Sequence, residues 1–222
     1  MIAASTNLLN FLRKSPQFSI PIYQRTYSWT ERECSKLWSD ILRVGGNDAI
    51  SAHFIGSIVY IETDPLHVSN QSPLLVIDGQ QRLATIMLIL EALARHLGDS
   101  EPMDGFSANK LRHYYLINTE EKDERHYKLL LTKTDKASLL ALVKQRPLPE
   151  EHSLRISDNF GFFSEQIKAL GTDLAALFKG LAKLIIVDIS LTRGQDDPQL
   201  IFESMNSTGP GLLPSGPLYP PQ

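Results

Sequence analysis

The chain has 222 residues, 42% of them hydrophobic and 21% charged, which is enough apolar material for one sizeable domain or a domain with a helical extension. A net charge of −3 excludes any global electrostatic attraction to nucleic acid, so contact with phosphate must come from a local patch. The single cysteine, Cys34, excludes an internal disulfide and a Cys-rich metal cluster, and fits a reducing compartment.

The opening stretch, MIAASTNLLNFLRKSPQF, lacks the basic start, apolar core and small-residue cleavage site of a signal peptide. No apolar run approaches the roughly 20 residues that would span a membrane. A cytoplasmic protein with no membrane partner is expected. Residues 18–29, FSIPIYQRTYSW, alternate aromatics and Ile with polar residues around Pro21, a pattern that predicts extended chain. A helix follows over WTERECSKLWSDILRVGG. Thr30 is placed to cap it, Glu33 to complete a capping box, and Gly45 and Gly46 to stop it. Its apolar stripe is Cys34, Leu37, Trp38, Ile41 and Leu42, which assigns Cys34 a packing role rather than that of a catalytic thiol.

HFIGSIVYI (53–61) and PLLVID (73–78) read as two strands of one sheet, buried on both faces or nearly so. From Gln81 to Leu97, Leu83, Ile86, Met87, Leu90, Leu93 and Leu97 fall on one helical stripe. Residues 103–180 are mostly helical in pattern, with a short strand expected at HYKLLL (126–131). LIIVDISL (184–191) is a third apolar strand, and Asp197 with Pro198 opens a helix that ends in NSTG. The last stretch, PGLLPSGPLYPPQ, is Pro-rich and without period, so an irregular or disordered tail is expected.

The strand–Gly–helix turn at VIDGQQRLATI is the feature with chemical content. Such a turn leaves backbone N–H groups unpaired at the positive end of the helix dipole, which suits an anion. Arg82 would add a planar cation that grips phosphate, and Gly79 lets backbone approach a ligand closely. Asp78 could hold a metal ion bound to phosphates or orient a water, and Gln80 and Gln81 could position that water. The plainer alternative is that Asp78 caps the helix and Arg82 lies on the surface. There is no P-loop and no Gly-x-Gly-x-x-Gly. In IPIYQRTYSW, Arg25 stands among Tyr23, Tyr27 and Trp29, a set able to stack a base while holding phosphate; a half-buried strand with an ion-paired Arg is the plainer reading. FESMNSTG places Glu203 and Asn206 one helical turn apart, which equally describes a helix end at Gly209.

Taken together, Ile20 to Trp29, His53 to Ile58, Val76 to Thr85 and Ile201 to Gly209 resemble, in order, the motifs of the GmrSD-type family, whose N-terminal domain carries a DGQQR signature. The resemblance spans about the first 210 residues. It implies an α+β fold similar to the ParB/sulfiredoxin-like fold, a small mixed sheet with helices followed by a mainly helical portion. The implied divisions are a core at 1–100 carrying the turn, a helical insertion at 101–182, a strand and helix completing the core at 183–209, and the tail at 210–222.

The resemblance further implies a regulatory domain that binds and hydrolyses NTP with Mg2+ in a type IV, modification-dependent restriction or phage-defence system. DNA cleavage would then come from an HNH-type nuclease domain or partner. The catalytic residues it implies are Asp78, Gln81 and Arg82, with Asp78 also the metal ligand. Nucleotide contacts would come from Gln24, Arg25, Tyr27, Gly79, Gln80, Thr85 and Asn206, and modified DNA is a further partner. The six histidines are scattered and form no HNH pattern. The family continues past Asn-x-x-Gly into a further helix where this chain runs into its Pro-rich end, read as a truncated or divergent end. Two other readings stand beside this one: a non-catalytic DNA-binding or protein-interaction module, and a nuclease using Asp78 and Glu203.

Overall fold

A computed structural model of the chain describes residues 1–62 and 72–191. Over these residues it is an α+β protein with a six-stranded mixed sheet and seven helices. The first strand, β1 (Ile2–Asn7), runs straight into α1 (Leu8–Lys14), where the Asn7 side chain accepts the Asn10 N–H as a cap. Neither element was anticipated from sequence. Next come β2 (Phe18–Ser19), α2 (Glu31–Gly45), β3 (His53–Glu62) and β4 (Leu74–Asp78). The long helix α3 (Gln80–Leu97) follows.

The intervening segment contributes the short α4 (Ala108–Leu111), continued by a π-helical turn at Arg112–Leu116, then β5 (Leu129–Leu130) and α5 (Lys133–Val143). After α6 (Leu154–Leu170) and α7 (Ala175–Ala182), β6 (Leu184–Leu191) returns to the sheet. The strand order is β1-β6-β3-β4-β2-β5. β6 pairs antiparallel with β1 and parallel with β3, β3 antiparallel with β4, and β2 parallel with both β4 and β5.

Helix α2 begins as its sequence requires: Thr30 and Glu33 form the capping box, and Cys34, Leu37, Trp38 and Ile41 are buried. In β3 the run Ile58, Val59, Tyr60 and Ile61 is buried throughout. Alternation along the strand sends Ile58 and Tyr60 into the main core, and Val59 and Ile61 into a second cluster with Ile77 and Leu191. Helix α3 departs from the single stripe read from its sequence. Ala84, Leu88, Ile89 and Ala92 are buried as fully as the stripe, because α4, α5 and α6 pack around it.

Two further differences have plain causes. The extended segment predicted at 18–29 is a strand only at Phe18–Ser19: Ile20 makes one last bond to the Leu130 carbonyl, and from Arg25 to Trp29 the backbone bonds to side chains instead. The strand predicted at 126–131 is confined to Leu129–Leu130, where it meets the two residues of β2. The helix predicted from Asp197 and the Pro-rich tail lie outside the described residues. No described helix is long and apolar enough to cross a membrane.

Candidate functional site

Strand β4 ends at Asp78, and Gly79 turns the chain into α3 with φ of +96°, a left-handed conformation that a side chain would strain. Contact reinforces this choice: a Cβ on Gly79 would lie 2.9 Å from the Ser57 carbonyl oxygen. Gly79 is itself the N-cap of α3, and no side chain caps the helix. Its first-turn N–H groups therefore have no intrahelical acceptor, at the end where the helix dipole is positive. Asp78 does not cap. Its Oδ2 lies 3.1 Å from the Nη2 of Arg82, which also donates to the Ser57 carbonyl at 2.6 Å.

The guanidinium of Arg82 rests directly on β3. Gly56, with φ of +114°, sits where the β3–β6 register shifts, and a Cβ there would lie 2.6 Å from Arg82 Nη1. The glycine of the HFIGSI stretch is thus required by the arginine of DGQQR. Arg82 is pinned on one side while a quarter of its side chain stays exposed.

The second arm is the loop at residues 24–29, held to α3 and β4 by glutamine amides. Gln24 Nε2 donates to the Ile77 carbonyl at 2.8 Å. Gln80 Nε2 donates to the Arg25 carbonyl at 3.2 Å. Gln81 spans the loop: Nε2 donates to the Thr26 carbonyl, while Oε1 accepts the N–H groups of Ser28 at 2.8 Å and Trp29 at 3.3 Å. All three glutamines are buried, and their amides replace the strand partner that the loop lacks.

Between the two arms lies a cleft of about 330 Å³ lined by Tyr23, Gln24, Arg25, Trp29, Asp78, Gly79, Gln80, Gln81 and Arg82. Two arginines against one carboxylate make it locally positive on a chain of net charge −3. Arg25 is exposed, with no hydrogen bond or ion pair to its guanidinium among the described residues. Tyr23 is 64% exposed at the rim beside Ile22.

Of the residues singled out from sequence, Gln24, Arg25, Asp78, Gly79, Gln80, Gln81 and Arg82 meet at this cleft. Tyr27 and Thr85 lie behind it, buried, with their hydroxyls 2.8 Å apart. Burial pushes the Tyr27 phenol far above its usual range, and it pushes the neighbouring Cys34 thiol up to about 11. Asn206 and Glu203 lie outside the described residues.

Gly56 and the Ser57 carbonyl were missed, although a glycine inside a strand pattern is itself a signal of close backbone approach. The buried Asp135 and Asn159, which also hold the loop, carried no sequence signal at all.

Among the described residues no cluster of three or more His, Cys, Asp or Glu could hold a metal ion. Asp78 is the carboxylate at the cleft, which fits an ion of the Mg2+ type held mainly by the phosphates of its ligand and one protein carboxylate.

Comparison with known proteins gives one family: the model described as GmrSD restriction endonuclease, N-terminal domain, matches residues 6–215. No curated protein matches the chain.

Proposed function

The chain belongs to the family of GmrSD restriction endonuclease N-terminal domains, and from that premise we propose that its cleft binds the phosphates of a nucleoside triphosphate and hydrolyses it. The domain would thereby regulate a modification-dependent restriction system, with DNA cleavage supplied by an HNH-type domain or partner.

One observation carries this reading. Two arginines from segments far apart in sequence face one cleft at the uncapped N-terminus of a long helix. Backbone N–H groups, a helix dipole and guanidinium groups are the elements that bind phosphate elsewhere. Arg82, fixed against β3, is suited to hold charge that builds up on the transferred phosphoryl group. Arg25, exposed at the cleft, is suited to meet the ligand as it enters.

Hydrolysis requires a water oxygen to attack the terminal phosphorus while the bond to the bridging oxygen breaks and the diphosphate leaves. Asp78, 44% exposed at its side chain and paired through Oδ2 with Arg82, would orient that water or share a metal ion with the phosphates. Mg2+, when bound, would supply neutralisation of phosphate charge. The side-chain amide of Gln81 is engaged by the loop, so its part is to hold the two arms in register.

Turnover of ATP and GTP, with Mg2+ and with or without DNA, tests the reading in the wild type, Arg82→Ala and Arg25→Ala. Removing a preorganised donor to transition-state charge should lower turnover by roughly 10²–10³-fold. Among the described residues the Arg25 side chain makes no hydrogen bond or ion pair, so Arg25→Ala separates lost chemistry from lost folding. Absence of turnover and of triphosphate binding in the wild type would refute the proposal.

A second reading, a non-catalytic module that binds DNA or protein, is favoured by the exposed Ile22 and Tyr23 on the rim. It requires steeply salt-dependent DNA binding that Arg82→Ala leaves unchanged.

A further inference from the structure

The loop that carries Arg25 is tied from behind to the helical segment, by residues that do not line the cleft. Asp135, in the first turn of α5 and 2% exposed, accepts the backbone N–H of Tyr27 at 2.6 Å. Asn159, within α6 and 2% exposed, donates Nδ2 to the Tyr27 hydroxyl at 3.0 Å and to the Trp29 carbonyl at 2.9 Å. These tethers reach 108 and 132 residues along the chain.

A buried carboxylate is expensive when a neutral acceptor would satisfy one N–H. The positive end of the α5 dipole offsets part of that cost. The position of the carboxylate suggests its use. Asp135 and Arg25 line the same small void behind the loop, together with Gln80 and Gln81. A negative charge therefore sits beneath the loop at the point where the Arg25 backbone is fixed by Gln80.

On the nucleotide reading of the cleft, we propose that Asp135 and Asn159 are positioning residues for Arg25, and that through them the helical segment and the occupied cleft are coupled. Each residue fixes loop backbone beyond Arg25, Asp135 at Tyr27 and Asn159 at Trp29. Gln80 and Gln81 fix the same loop from α3. The loop is thus suspended between α3, which carries the phosphate-facing turn, and helices α5 and α6, which do not reach the cleft. Coupling of this kind is reciprocal: a ligand that draws Arg25 inward tightens α5 and α6 on the loop, and a partner that moves α5 or α6 changes affinity at the cleft.

The test measures two quantities in the full chain. One is amide hydrogen exchange over residues 26–29; the other is the dissociation constant for ATP and GTP with Mg2+. The variants are Asp135→Ala, Asn159→Ala and Asp135→Asn. Both alanine variants should speed exchange across the loop and weaken triphosphate binding, Asp135→Ala roughly tenfold, the loss expected from one buried charge-assisted hydrogen bond, and Asn159→Ala roughly fivefold, since its bonds are neutral. Asp135→Asn, whose amide oxygen still accepts from Tyr27, should restore slow exchange and recover affinity only in part, because the charge beneath the loop is gone. Arg25→Ala should weaken binding while leaving loop exchange slow.

Exchange that stays slow in both alanine variants overturns the inference, as does loosened exchange with unchanged affinity. A wild type that binds neither nucleotide ends the nucleotide reading instead. The tether would then stand or fall on whether exchange accelerates in the alanine variants and recovers in Asp135→Asn. Should Asp135→Ala fail to fold by circular dichroism, Asn159→Ala carries the same comparison.

Discussion

Replacing Gly56 by alanine isolates the contact between β3 and Arg82. Two costs arise at this position. The backbone φ of +114° is one that a side chain strains, at about 1–3 kcal/mol. The added Cβ would also lie 2.6 Å from Arg82 Nη1 and 2.8 Å from Cζ. The guanidinium must then leave the Ser57 carbonyl, a charged hydrogen bond worth about 1.5–3 kcal/mol.

The combined loss is about 2.5–6 kcal/mol, which in a chain of this size lowers the melting temperature by roughly 5–24 °C. Thermal unfolding followed by circular dichroism would measure it in the wild type, Gly56→Ala, Arg82→Ala and the double variant. In the double variant the collision is gone, so backbone strain simply adds to the loss of the Arg82–Ser57 hydrogen bond. Its loss should therefore fall short of the sum of the single losses by about 1.5–3 kcal/mol, the hydrogen bond counted in both single variants. Strictly additive losses would refute the claim that Gly56 exists to seat Arg82, and a Gly56→Ala variant as stable as the wild type would refute the strain as well.

Two further expectations concern groups buried away from the cleft. Glu91 is fully buried in α3 and takes Arg95 at 2.9 Å and Arg112 at 3.1 Å, so Glu91→Ala leaves two arginines facing an apolar gap. Urea unfolding should show a loss of about 3–5 kcal/mol, and a loss under about 1 kcal/mol would mean that solvent rescues both arginines. Cys34, fully buried with its thiol pushed up to about 11 by burial, is roughly one part in a thousand thiolate at pH 8. A thiol reagent such as Ellman's should label it in denaturant and not in the native protein; prompt native labelling would show that the Tyr27–Cys34 interior opens readily.

Local rules made much of this fold legible. The capping box of Thr30 and Glu33 fixed where α2 starts, and the apolar run of β6 fell at the observed bounds because nothing competes with such a strand. The strand–Gly–helix turn at 78–80 was legible because Asp-Gly between an apolar run and a helical stripe is a local signal in itself. By contrast, β1 has no periodic signal: IAASTN is short, small and neutral, and pairing with β6 makes it a strand. The loop at 24–29 misled because alternating aromatics resemble a strand, whereas its partners are side chains from α3, α5 and α6. The roles of Asp135 and Asn159 depend on packing between segments more than a hundred residues apart, which composition and spacing do not encode.

The place of β6 in the sheet bears on how the chain comes to fold. It is the last of the described strands to be synthesised, yet it lies between β1 and β3 and is the sole described partner of β1, with Ile2 opposite Ser190. Until residues 184–191 have left the ribosome, β1 and one side of β3 present open edges of the kind that invite pairing with other chains. Ring closure from β1 to β6 then precedes the main gain in stability, so slow folding is the expected consequence. A fragment that stops short of β6 would keep the Asp78–Arg82 turn in its sequence and lose the frame that holds it in place.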